Sequence, residues 1–202
     1  TTGDGNVAIG YQALDTEDAH GLNTAIGYQA LSAQDAGFDA KNTAVGYQAG
    51  GAVTEGDRNT LVGTTAGSSL THADFNVALG EAALAADTLG SRSTAVGRAA
   101  LNAQNFTTAT DTYNTAVGNN AGLSVTTGTF NTLIGGLAGD ATDDGVGNTA
   151  VGYNSLSANA ANYNVAIGHE SLVACTGTNN TSVGVVAGSS LTSGSNNIFI
   201  GR

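Results

Sequence analysis

The sequence predicts an all-β chain wound as a parallel β-solenoid. Three observations carry this. A five-residue core, Asn-(Thr/Val)-Ala-(Val/Ile)-Gly, recurs twelve times in 202 residues, in steps of 16 to 21. Its second and fourth positions are almost always β-branched, which favours strands. Proline is absent, as suits strands hydrogen-bonded to a coil above and below. A repeat this short cannot hold a helix pair, which needs about 33 residues or more, but it suits one turn of a β-helix.

The elements follow in order along the repeat. The first position is Asn6, Asn23, Asn42, Asn59, Asn76, Ser93, Asn114, Asn131, Asn148, Asn164, Asn180 and Asn197. Stacked asparagines can form hydrogen-bonded ladders, and asparagine also tolerates left-handed turns. The fifth position is glycine in every copy, from Gly10 to Gly201, a corner where a Cβ is not expected to fit. Positions two and four share one face of the strand, and that face is expected to fill the core. Position three then points the other way. It is Ala8, Ala25, Ala44, Leu61, Ala78, Ala95, Ala116, Leu133, Ala150, Ala166, Ser182 and Phe199. A strand apolar on both faces is buried on both, so this column is expected to be a seam between chains. Glutamate at Ala44 or Ala116 should then part the chains. An alanine row that simply faces water is the plainer alternative.

The array fills residues 1–202 as one domain, with longer loops at 32–41 and 102–113, where a solenoid accepts insertions. Twelve coils should make a rod roughly 55–60 Å long. The last motif, Asn197 to Gly201, is the most hydrophobic. It is expected to be covered, by further sequence or by head-to-tail stacking into filaments.

Charge and composition narrow the function. The net charge is -11, with one lysine and four arginines. Arg58, Arg92, Arg98 and Arg202 form no basic stripe, so nucleic acid is not expected as a partner. No run of apolar residues is long enough to insert in a membrane. No catalytic constellation, cofactor motif or metal site is expected. His20, His72 and His169 sit at different phases of the repeat. Cys175 has no phase-matched base, and Lys41 follows no phosphate-loop pattern. Asp15, Glu17 and Asp18 cluster in one loop, and Asp140, Asp143 and Asp144 in another. These read as solvated acidic loops, with a hard cation as the alternative. Tyr11, Tyr28, Tyr47 and Tyr153 follow the motif glycine and should align along one edge, covering the corner or contacting a sugar or protein.

The core motif in all twelve coils, as in Asn-Thr-Ala-Ile-Gly-Tyr from Asn23 and Asn-Val-Ala-Ile-Gly from Asn6, resembles the head repeat of trimeric autotransporter adhesins. The longer phrases Asn23–Leu31 and Asn42–Ala49 resemble related repeats of phage tail-fibre-like proteins. The adhesin heads use a shorter coil. The resemblance implies a left-handed β-roll with three chains side by side. It implies a structural or adhesive fibre segment, outside the cell, on its surface or in a virion tail fibre. The partners would be copies of itself and a host surface, glycan or protein receptor. Ice binding is a further alternative, since flat solenoids with threonine rows do this. The expected inward direction of the threonines speaks against it.

Overall fold

The structure is a computed structural model and describes residues 3–17 and 20–202. It is all-β among those residues. Twelve three-residue strands stack in one parallel sheet: β1 (Val7–Ile9), β2 (Thr24–Ile26), β3 (Thr43–Val45), β4 (Thr60–Val62), β5 (Val77–Leu79), β7 (Thr94–Val96), β9 (Thr115–Val117), β10 (Thr132–Ile134), β11 (Thr149–Val151), β12 (Val165–Ile167), β13 (Thr181–Val183) and β14 (Ile198–Ile200). Each strand pairs with the same motif one coil on, position for position, as Thr43 with Thr60 and Ala44 with Leu61. The chain therefore makes eleven full turns between the first strand and the last. The long loop at 102–113 adds a second ladder. Its strand β8 (Thr110–Asp111) pairs with β6 (Gly90–Ser91) of the coil before.

The asparagine column is a ladder, and its rungs run from side chain to backbone. The Asn59 N–H donates to Asn42 Oδ1 at 2.8 Å, and the Asn76 N–H to Asn59 Oδ1 at 2.9 Å. The amide group points forward: Asn59 Nδ2 donates to the Ala73 carbonyl at 2.8 Å. Most of the asparagines thus satisfy a buried N–H and a buried C=O that would otherwise lack partners, whereas Asn23 and Asn148 keep only the N–H rung and bury their Nδ2 groups without a partner. Ser93 is too short to continue the pattern, and a local network replaces it. Ser93 Oγ bonds Thr112 Oγ1 and accepts from Gln104 Nε2. Gln104 Nε2 also reaches the buried carboxylate of Asp87, which holds the Gly90 and Phe106 N–H groups.

The motif glycines turn the corner as expected. Gly27 has φ +133°, and a Cβ there would lie 2.3 Å from the Gly46 carbonyl oxygen. No side chain fits between backbones stacked that closely.

The two strand faces are reversed from the expectation. Position three points into the coil. Ala25, Ala44, Leu61, Ala78, Ala95, Ala116, Leu133, Ala150, Ala166 and Ser182 are all fully buried within a single chain. Ala8, in the first strand, is exposed, and Phe199, in the last, is partly buried against the core. Positions two and four point outward and are half-buried or exposed. The ten buried residues of this column have no surface left to offer a second chain, which turns the expected seam into the core of each coil.

The physical reason lies across the coil. Ala49, Ala66 and Ala83, eight positions into the repeat, face the position-three column in one core, with leucines next to them. The core is narrow, and its packing alternates. Most coils carry leucine at position nine (Leu31, Leu84, Leu101, Leu156) and alanine at position three. Where position three is leucine, position nine of its own coil and of the coil before is glycine. A Cβ on Gly67 would lie 2.7 Å from Leu61 Cδ2, and one on Gly50 2.7 Å from Leu61 Cδ1. Leu133 has the same relation to Gly122 and Gly139, and Phe199 to Gly188. Volume is conserved by moving the bulky side chain from one wall to the other, as close packing requires.

Candidate functional site

With position three inside, the outer strand face is the most regular surface of the molecule. Two columns run its length. Position two is threonine in eight coils: Thr24, Thr43, Thr60, Thr94, Thr115, Thr132, Thr149 and Thr181. Position four is valine, isoleucine or leucine throughout, and Val62, Val117, Ile134, Ile167 and Val183 are among the exposed large hydrophobics. Neither column contains a charged residue. Coils repeat every 4.7–4.9 Å and the two columns stand roughly 6.6–6.8 Å apart along the strand. Among the described residues, none of the eight threonine hydroxyls bonds to another protein group. They are free to bond to something outside the chain.

Two ladders of larger side chains flank this face. After the corner glycine, Tyr11, Tyr28 and Tyr47 stack with ring centroids 5.4 and 5.2 Å apart. Beside them Gln29 Nε2 donates to Gln12 Oε1, and Gln48 Nε2 to Gln29 Oε1. Tyr153 belongs to the same column but stacks on His169 at 5.5 Å. His169 is therefore in phase with the tyrosines, while the three histidines sit at different phases from one another. All four rings stand well exposed, so they line an edge more than they cover a corner. Before the motif asparagine runs a second column that sequence reasoning missed. Phe75 lies between the guanidiniums of Arg58 and Arg92, 5.2 and 4.8 Å from its centroid. Tyr113 stacks on Phe130 at 5.8 Å. These residues all have φ between +50° and +65°, a region non-glycine residues seldom occupy. The signal was their shared phase, one residue before the first position of each motif.

No protein family matches the chain, and neither does a curated protein or a solved structure. The site must be judged on its own geometry.

The remaining sequence candidates are scattered. Cys175 is buried in the core, where Asn180 Nδ2 donates to its Sγ at 3.4 Å, and burial pushes its thiol above the usual range. A thiol so placed is a packing residue. Glu17 is buried, and its Oε1 accepts from the His20 N–H at 3.2 Å. It is not part of a solvated loop. Asp15 is exposed, and Asp18 lies outside the described residues. Asp143 is held by Thr126 Oγ1 and Asp144 is exposed, while Asp140 is half-buried with its Oδ1 shielded from solvent. No group of three or more possible metal ligands converges among the described residues. No helix is long and apolar enough to cross a membrane. Arg98 pairs with Glu81 at 3.7 Å and Arg92 with Asp111 at 2.9 Å, and Lys41 and Arg202 stand exposed.

Proposed function

We propose that the chain is a non-catalytic segment of an extracellular fibre, on a cell surface or in a virion tail fibre. Three copies stand side by side as left-handed rolls, and the assembled shaft presents its edges and loops to a receptor. The observation that carries this reading is the outer strand face. It is uncharged along all twelve coils, with a continuous column of half-buried or exposed valine, isoleucine and one leucine. A contiguous apolar stripe of that length on a soluble rod calls for a cover, and a second copy offers a matching stripe at the same rise per coil. The lateral contact thus passes from position three to positions two and four.

The test is mass in solution by light scattering. The wild-type chain should run as a trimer. Val62→Lys with Val117→Lys should run as a monomer with unchanged circular dichroism, because the charges would be buried only on association. A wild-type chain that stays monomeric at high concentration would sink the side-by-side reading.

One observation favours a second reading. The threonine column points outward, so the objection to ice binding is removed. Eight hydroxyls in one column, in runs of three, four and one separated by Val77 and Val165, stand beside methyl groups and offer a mesh that orders water. A monomeric mass together with faceted ice growth and thermal hysteresis would select it.

A further inference from the structure

On the loop edge of the second to fourth coils lies an open cleft of about 340 Å³. The insertion at 32–41 builds one wall, since it carries the exposed ring of Phe38. Insertions that add a wall to one coil of a regular array map to the binding face of solenoids. Among the described residues no ring or cation stacks on Phe38. The lining also holds Phe75, already braced between two arginines. The lining carries Glu55, Asp57 and Asp74 against the single guanidinium of Arg58, which is tied to Asp57 at 2.6 Å. His72 Nε2 stands 3.8 Å from Glu55 Oε1. The Asp57 side chain is only 13% exposed, and its N–H donates to Asp74 Oδ1 at 2.8 Å. Carboxylates here are crowded by the stacking of one coil on the next. Burial, and then the neighbouring Asp57, hold the Asp74 carboxyl above its ordinary range.

The carboxylates line the cleft without converging as a group of metal ligands, so the cleft does not suit a bare metal ion. It has room for a cation with an apolar body. We propose that this cleft binds an alkylammonium group, a free amine or a lysine side chain, with its carbon stem on Phe38 and its charge among Glu55, Asp57 and Asp74. An excess of negative charge attracts the ammonium, and the ring face adds a cation–π contribution. The site lies on the loop edge and does not depend on whether the strand face is covered.

The experiment is calorimetric titration of the full chain at low salt with n-butylammonium chloride and, separately, 1-butanol. The amine should saturate one site and the alcohol should not bind. Phe38→Ala and Glu55→Gln should each weaken the amine about three- to tenfold. Asp144→Asn, which removes the same charge from a distant exposed loop, should leave it unchanged. The peptide Gly-Lys-Gly binding more tightly than n-butylammonium would place the cation on a partner chain, and weaker binding would assign the site to free amines. Equal amine binding by all four proteins would mean only the counter-ion atmosphere of an acidic rod, and would overturn the proposal. Equal binding of the alcohol, or no binding of the amine, would overturn it as well.

Discussion

Exchanging volume between Leu61 and Gly67 tests the core directly. Leu61 is fully buried, so Leu61→Ala should destabilise the chain by about 2–5 kcal/mol, the range for leucine deletion from a packed core. Gly67→Ala alone should be costly for two reasons. Its φ is +55°, which costs an L-residue about 1–2 kcal/mol. The new Cβ would also meet Leu61 Cδ2 at 2.7 Å and Leu70 Cδ1 at 2.9 Å, an overpacking penalty of about 1–3 kcal/mol. In the double variant the leucine has gone and the alanine methyl moves into part of its space. The backbone penalty remains while most of the overlap is relieved. The two changes should therefore cost about 1–3 kcal/mol less together than the sum of each alone. Urea denaturation followed by circular dichroism measures this, provided the dependence on urea is the same in all four proteins. Additivity within about 0.5 kcal/mol would show that the two side chains do not share a space. The inward direction of position three would then be wrong.

Ala116→Glu should prevent stable folding of the single chain, because it places a carboxylate in a fully buried column; loss of the circular dichroism signal at all concentrations checks it. A folded protein with altered mass would instead restore the seam at position three. Asn59→Ala should lower stability by about 2–6 kcal/mol, since it strands the Asn76 N–H and the Ala73 carbonyl; thermal melts measure this, and a loss under about 0.5 kcal/mol would count against the ladder. Asp74 has a raised folded pKa. The folded state therefore binds more protons than the unfolded chain just above the ordinary carboxylate value, and stability should fall as pH rises from about 4. Asp74→Asn, whose side-chain oxygen can still accept from Asp57, should flatten that fall in melts taken between about pH 4 and 7.

The columns of the fold were legible in the sequence; their direction was not. The asparagines and glycines announce one strand per repeat because each has a backbone task that no other residue type performs as well. Alternation then says that Thr43 and Val45 share a face and Ala44 takes the other. It does not say which face is inside when neither is polar. β-Branched residues looked like the better core, and small alanines looked like a place for another backbone to approach. The opposing wall decides the matter. Leu31 and Leu84 already fill the space, so only alanine fits opposite them. The clue lay in exceptions within the repeat: Leu61 and Leu133 occur only where Gly50, Gly67, Gly122 and Gly139 make room. The flanking ladder from Arg58 to Phe130 was hidden for another reason. Its side chains differ in kind, and only the shared phase unites them.

The exchange of bulk between the two walls has a bearing on how such a chain could grow or shorten. Gly50, Leu61 and Gly67 reappear 72 residues on as Gly122, Leu133 and Gly139, which is four coils later. Gly188 and Phe199 repeat the arrangement after four more. Two leucine coils followed by two glycine coils thus form the true period of the array. Removing one coil would set leucine against leucine, or leave glycine opposite alanine with a void. Removing four would bring matching walls together. A gene encoding this chain could therefore lengthen or contract in blocks of four coils without disturbing the core, whereas a change of one coil would have to be repaired by substitution elsewhere.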